Sequence, residues 1–292
     1  MTPVHPPTRE RPPFVLSAIR RTLGLTPPSP DLPVPSAGSD EKQALGEALT
    51  MLRIRKGDVR ELEALYRQFV LTGLRPREGR DEDLFRLIGT TVGEGLYICE
   101  GLQRALDVPG DICEFGVAQG ATSRLLAREL LGDPRGAGRR LWLFDSFEGL
   151  PKPTEKDRLI DDIFQLGSMD AYAGTMRCPR ELVESKLRDV GFSVERTCIK
   201  PGWIDRTLLE APVPERVAFA YIDFDFYDPI RIALEWLEPR TASGAVFVVD
   251  DYGFFSEGAQ LAVDEFVAVR KDRWTFARPV DAAGKFCVLT RR

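Results

Sequence analysis

Soft metal ligands and paired thiols are scarce in this chain of 292 residues. Its five cysteines, Cys99, Cys113, Cys178, Cys198 and Cys287, are scattered with no CxxC pair, and the one histidine, His5, lies near the N-terminus. An odd, dispersed set of thiols argues against a disulfide framework and a zinc centre, and implies a reducing cytoplasm. No stretch approaches the roughly 18 uncharged apolar residues of a membrane span. No basic segment leads into an apolar core and a small-residue cleavage site, so no secretory signal is read. Excess basic charge is also missing: 40 Lys and Arg against 45 Asp and Glu give a net charge of -5, which disfavours a nucleic acid as partner. The chain lacks GxGxxG and any Tyr-Lys or His proton relay, which counts against a nicotinamide-dependent oxidoreductase.

What remains is an ordinary globular composition, 43% hydrophobic and 29% charged, enough for a sizeable core. Ten of the 22 prolines fall in the first 40 residues, so residues 1–39 read as a disordered, proline-rich tail. Residues 40–107 read as a helical region covering the substrate. Leu45, Ala48, Leu49 and Leu52 recur at helical spacing, and Asp58 with Glu61 offers a capping box for a helix carrying Leu62, Leu65, Tyr66 and Phe69 on one face. A third helix is expected from Asp81 to Leu106, with Asp81, Glu82 and Asp83 at its positive end.

From residue 108 to 292 strands alternate with helices. Strands are expected at Asp111 to Phe115, Arg140 to Asp145, Ser193 to Ile199, Arg216 to Asp223 and Gly244 to Asp250. Helices are expected at Thr122 to Leu131, Pro179 to Val190, Ile204 to Leu209, Pro229 to Leu237 and Gly258 to Lys271. Trp274 to Arg278 and Lys285 to Thr290 read as a terminal antiparallel pair. The pattern predicts an α/β fold: a doubly wound, Rossmann-like sheet, mostly parallel, preceded by N-terminal helices. Residues 148–178 form a long insertion, the length of a lid or a disordered segment. The pairs Arg139-Arg140 and Arg291-Arg292 read as solvated charge.

Two acidic clusters, Asp223-Phe224-Asp225 and Asp250-Asp251, close the two most apolar of these strands. Like charges crowded at core strand ends repel and cost free energy unless a cation or proton compensates. Oxygen donors without His or Cys select magnesium, manganese or calcium over zinc. Asp223 and Asp225 are two apart and would share a strand face. A cation there would acidify an alcohol, and an aspartate kept off it could take the proton. Earlier in the chain, Glu114 to Gly120 reads as a strand-to-helix turn with an acid at the strand end. That acid suits a ligand with an ammonium group, such as the methionine part of S-adenosylmethionine, and would repel a dinucleotide phosphate. Asp145, at the next strand end, suits ribose hydroxyls. Trp203 suits either adenine stacking or the core, and Phe254 and Phe255 either an acceptor site or a helix-entry staple.

Four ordered motifs, Gly110 to Gly120, Trp142 to Pro151, Tyr221 to Tyr227 and Gly244 to Tyr252, together resemble the macrocin O-methyltransferase family over roughly residues 81–270. The resemblance implies a class I, S-adenosylmethionine-dependent and magnesium-dependent O-methyltransferase of natural-product metabolism, antibiotic biosynthesis included. It implies a metal held by Asp223, Asp250 and Asp251, and Asp225 as general base. It places cofactor contacts at Glu114, Gly116, Gly120, Thr122, Ser123, Asp145, Ser146, Gly202 and Trp203. The family usually has a small or polar residue and a Trp where this chain has Phe224 and Phe226. The expected acceptor is a hydroxyl of a sugar or other polyhydroxylated small molecule, with no nucleic acid or membrane partner and a homodimer or higher homo-oligomer as assembly. The alternative is a protein of the same fold that binds S-adenosylmethionine without methylating, as a scaffold or cyclase.

Overall fold

Five short apolar runs separated by helices can bury both faces only as a covered parallel sheet, and the chain folds that way. The structure, a computed structural model, describes Phe69 and residues 73–292. The proline-rich tail and the first two expected helices lie outside the described residues, apart from Phe69. The strands are β1 (Asp111–Phe115), β2 (Leu141–Asp145), β3 (Thr197–Pro201), β4 (Val217–Ile222), β5 (Val246–Val249), β6 (Trp274–Ala277) and β7 (Cys287–Arg291). They form one sheet in the order β3-β2-β1-β4-β5-β7-β6. The first five run parallel, and β7 is antiparallel to both β5 and β6. The order reverses between β1 and β4, which opens a crevice at their carboxyl ends.

The helices are α1 (Arg80–Leu84), α2 (Val92–Ala105), α3 (Ala121–Leu131), α4 (Arg180–Asp189), α5 (Ile204–Thr207), α6 (Tyr227–Leu237) and α7 (Glu257–Ala268). Strand alternation divides the core between the two faces. Cys113, Phe115, Ala220, Ile222, Phe247 and Val249 pack with α6 and α7. Phe219 and Val246 face α2 instead, and they come so near that a Cβ on Gly101 would stand 3.2 and 3.1 Å from them.

Two expected elements differ. The single helix from Asp81 to Leu106 is two, α1 and α2, because Gly89 takes a left-handed φ of 85° and Thr91 starts a new helix by accepting from the Glu94 amide at 3.0 Å. The strand expected from Ser193 begins only at Thr197; before it the Ser193 carbonyl turns back to accept from the Arg196 amide at 3.1 Å, in a 3-10 turn. Arg139 is not solvated charge, since its guanidinium donates to the carbonyls of Val108 at 2.8 Å and Leu106 at 2.7 Å, closing the loop ahead of β1. Arg291 is no free charge either, lying 3.7 Å from Glu238.

The short α1 is fixed to α3 by buried charge. Asp83 is 1% exposed and accepts from Arg124 Nε at 2.6 Å and from Arg128, while Arg80 pairs with Glu129 through two bonds of 2.6 Å. Removing one partner strands a cation without its counter-charge, which costs more than the pair contributes. Asp83→Ala should therefore lower unfolding stability by about 3 kcal/mol or more in urea titration, and a change under about 1 kcal/mol would show the pair to be ordinary surface charge.

Candidate active site

All four carboxylates of the two acidic clusters lie on the floor of one cleft. The ladder continues past the strands: Asp223 N donates to the Phe115 carbonyl at 2.7 Å and Asp250 N to the Ile222 carbonyl at 2.9 Å. That fixes where both chains emerge. Carboxylate oxygens of Asp223, Asp225 and Asp251 lie within 4.8 Å of one another. This is a different trio from the one the resemblance implied, which had Asp250 in place of Asp225. Asp250 Oδ2 accepts from the Tyr221 hydroxyl at 2.9 Å and its Oδ1 from the Asp251 amide at 2.7 Å.

Electrostatics follow from the crowding. Burial pushes Asp223 and Asp251 well above the usual carboxylate range, and the neighbouring aspartates push them further. Asp225 is raised to about 7 by burial, and Asp250 is raised by burial as well. Asp225 and Asp251 have left-handed φ angles of 61° and 57°. Aspartate tolerates that region better than most residues, yet two such positions in one cluster mark a strained turn.

The opposite side of the cleft is assembled from the ends of β1, β2 and β3. Gly116, at a φ of 83°, is required by close approach, since a Cβ there would stand 1.7 Å from the Asp223 carbonyl oxygen. Asp145 does more than its expected role needs. Its Oδ2 accepts from the amides of Val117 and Ala118 at 2.7 and 2.9 Å, and its Oδ1 from Phe147 at 2.6 Å, so it ties the glycine turn to the end of β2. Gly116, Asp145, Ser146, Gly202 and Trp203 all line the cleft, which has a volume of about 560 Å³. Trp203 is thus a cleft residue and not part of the core. Glu114 lies beneath, fully buried, with Oε2 accepting from Ser123 Oγ at 2.5 Å and Oε1 buried without a hydrogen-bond partner. Gly120 and Thr122 are not cleft-lining residues; Gly120 caps α3 and packs against Val183 of α4.

The insertion 148–178 packs against the cleft. Its buried Asp157 accepts from the Tyr227 amide at 2.7 Å, at the start of α6, and from Ser256 Oγ at 3.3 Å, the N-cap of α7. Leu150, Met169 and Tyr172 cluster with Phe226 and Phe255, while Phe224 and Phe254 line the cleft. Ile88 and Gly89, between α1 and α2, line it too. Asp157, Ile88 and Gly89 were not expected from sequence. One acid among the six of a long insertion carries no local signal of the helix ends it will reach.

The sequence profile described as Macrocin-O-methyltransferase (TylF) matches residues 86–292. The chain belongs to this family. It is an S-adenosylmethionine-dependent O-methyltransferase. Among its relatives is the 8-demethyl-8-(2,3-dimethoxy-alpha-L-rhamnosyl)-tetracenomycin-C 4'-O-methyltransferase of Streptomyces olivaceus, 32% identical over 203 residues, 68% of this chain and 74% of the relative. The demethyldecarbamoylnovobiocin O-methyltransferase of Streptomyces niveus is 30% identical, covering 65% of this chain and 71% of that one. The fold resembles that of the O-methyltransferase NovP (TM-score 0.57, 23% identity, 69% of this chain and 80% of that one). It also resembles the calicheamicin methyltransferase CalS11 (TM-score 0.51, 22% identity, 90% and 99%).

The family assignment gives the buried Glu114 a chemical context, because its unpartnered oxygen suits the ammonium group of the methionine moiety. Without such a partner, burial raises this carboxyl to about 8, against the Ser123 bond that lowers it and with Asp145 adding to the rise. In the open chain the group ionises near 4.5. Between those values the unfolded chain has lost a proton that the folded one retains, so stability falls as pH rises through the window, by up to about 1.4 kcal/mol per pH unit. Glu114→Gln removes that slope. In cofactor-free protein the stability difference between variant and wild type should move in the variant's favour from pH 5 to pH 8 in denaturant titrations; a constant difference would show that Glu114 does not titrate there.

Proposed function

We propose that this enzyme transfers the methyl group of S-adenosylmethionine to a hydroxyl of a sugar or other polyhydroxylated natural product, with the help of a divalent cation, magnesium by preference. The observation that carries the reading is the gathering of the strand-end carboxylates beside the cofactor turn. The donor set fits a hard cation: oxygen ligands only, strand-fixed, and carrying more negative charge than they can hold alone. The acceptor class rests on the Streptomyces olivaceus relative, whose name specifies a rhamnosyl-bearing tetracenomycin, and on the mixed lining that the 148–178 insertion gives the cleft, Leu150, Ile163 and Met176 with Lys152 and Thr154.

Asp223 and Asp251 belong to both possible ligand trios, and we assign Asp250 as the third ligand. The Tyr221 hydroxyl and the Asp251 amide steady its two oxygens, as outer partners steady ligating carboxylates elsewhere, and each oxygen keeps a lone pair for a ligand bond. A cation bound there would neutralise the cluster and make an acceptor hydroxyl easier to deprotonate. Asp225, held on the same floor but outside that ligand set, accepts the hydroxyl proton. Glu114 holds the amino group of the cofactor, Asp145 the ribose hydroxyls, and the Gly202-Trp203 turn flanks the adenine; Ser146 borders the same side. Gly120, Thr122 and Ser123 support this wall from α3.

Calorimetry with Mg²⁺ or Mn²⁺, paired with single-turnover methyl transfer, tests the assignment. Asp250→Asn should lose the cation and keep the cofactor. Asp225→Asn should keep both within a few-fold while the transfer rate falls roughly 10²- to 10⁴-fold. Loss of the cation in Asp225→Asn, with Asp250→Asn unaffected, would make Asp225 the ligand. Full activity after exhaustive chelation would end the cation reading altogether. On the cofactor side, Asp145→Ala should weaken S-adenosylmethionine binding by about 1.5 to 3 kcal/mol, the scale for hydrogen bonds to a charged group, and an unchanged dissociation constant would move the ribose contact elsewhere.

A further inference from the structure

Tyr221 has a different duty from the apolar residues around it in β4. It is fully buried, and strand alternation turns it to the α2 face with Phe219, away from Ala220 and Ile222. Its hydroxyl lies 2.9 Å from Asp250 Oδ2, 3.4 Å from Asp223 Oδ2 and 3.3 Å from Thr90 Oγ1. A phenol has one proton to give. The shorter, better contact takes it, so Tyr221 donates to Asp250, and Thr90 completes the chain by donating to the phenol oxygen. Chains of this kind strengthen one another in a dry interior.

Glu94 of α2 closes the group from behind. It is 2% exposed, its Oε1 has no hydrogen-bond partner, and it stands beside both Asp250 and Tyr221. Its own amide is the one capped by Thr91, so Thr90, Thr91 and Glu94 all belong to the start of α2, ahead of the first strand. Neither Tyr221, Thr90 nor Glu94 reaches the cleft lining. Tyr221 and Glu94 face Asp250 and Asp223, and Thr90 reaches them through the Tyr221 hydroxyl.

We propose that Tyr221 is a positioning residue: its hydroxyl, oriented by Thr90, fixes the Asp250 carboxylate in the geometry that binds the cation, so the entry to α2 helps set cation affinity. This rests on the assignment of Asp250 as a ligand, and the test separates the two ideas. Mn²⁺ uptake is measured by the loss of the free-ion electron paramagnetic resonance signal for wild type, Asp250→Asn, Tyr221→Phe, Thr90→Val and Thr90→Ser, with S-adenosylmethionine affinity and melting temperature recorded for each. Outer partners of ligands typically tune metal affinity 10- to 100-fold, so Tyr221→Phe should weaken Mn²⁺ binding by about that factor and raise the Mg²⁺ concentration for half-maximal rate in parallel. Its rate at saturating Mg²⁺ and its cofactor affinity should stay within a few-fold of wild type. Thr90→Val should give a smaller loss in the same direction, and Thr90→Ser, which keeps the hydroxyl, should restore it.

A structural role alone would lower the melting temperature without moving cation affinity, and that result overturns the proposal. Wild-type Mn²⁺ affinity in Tyr221→Phe, with Asp250→Asn impaired, overturns it while leaving the ligand assignment standing. Wild-type protein that takes up no Mn²⁺, or Asp250→Asn that binds normally, overturns the ligand assignment and this inference with it.

Discussion

The burial of four crowded carboxylates, Asp223, Asp225, Asp250 and Asp251, is the constraint around which this site is arranged. Burial at adjacent strand ends raises the proton affinity of these carboxylates and of Glu94 behind them, and neighbouring aspartates raise Asp223, Asp251 and Glu94 further. Groups in this position persist only where the surroundings over-determine their placement. The sheet does so by extending its ladder one residue past β4 and β5, at the Asp223 and Asp250 amides. The following turns adopt left-handed backbone at Asp225 and Asp251, and the carboxylates of both lie within 4.8 Å of that of Asp223.

The same strand ends organise both halves of the cleft. On one side, Gly116 meets the Asp223 carbonyl with no room for a side chain, and Asp145 draws the glycine turn onto β2 through amides of Val117 and Ala118. The glycine turn is thus in direct contact with both the acidic floor and the end of β2. On the other side, Asp157 carries the insertion onto the starts of α6 and α7, where a carboxylate suits the positive ends of both helices. Ile160 N donating to the Phe255 carbonyl at 2.8 Å, and Glu257 N to that of Arg158 at 2.8 Å, add a short stretch of paired backbone. Beyond this anchor, Tyr172 donates to Asp162 at 2.6 Å and holds the tip in a tight turn that leaves Phe164 and Leu166 exposed.

Much of this was legible in the sequence, for identifiable reasons. Continuous apolar runs bounded by Gly, Pro and Asp fixed β4 and β5 to within two residues, and the order of the motifs gave the sheet class. Local signals also existed for a feature the reading overlooked: Thr91-Val-Gly-Glu94 has the spacing of a capping box, which argues for a helix start there and not for one helix from Asp81. The side chain of Glu94, though, does not reach back to its cap. It turns into the acid cluster, and no local rule could show that. Tyr221 shares a strand face with Asp223 by simple alternation, so a polar group behind the site was within reach of the sequence. Asp157 was not, because its partners stand 70 and 99 residues away.

The division of labour between backbone and side chains explains why family membership identifies the reaction class more readily than the acceptor. The cofactor contacts proposed above depend on a glycine turn, three strand ends and one carboxylate tied to amides, where the geometry leaves little room for substitution. The wall proposed for the acceptor comes from side chains on a 31-residue insertion and on the α1–α2 connection, held by a handful of anchors such as Asp157. Residues between the anchors can change without disturbing the acidic floor. Phe224 and Phe226 show this separation within a single motif. They alternate with Asp223 and Asp225, yet Phe226 stacks on Phe255 at a ring separation of 5.9 Å beneath the insertion, and Phe224 meets Phe115 at the end of β1. Exchanging them reshapes the wall and leaves the carboxylates where the strand ends put them.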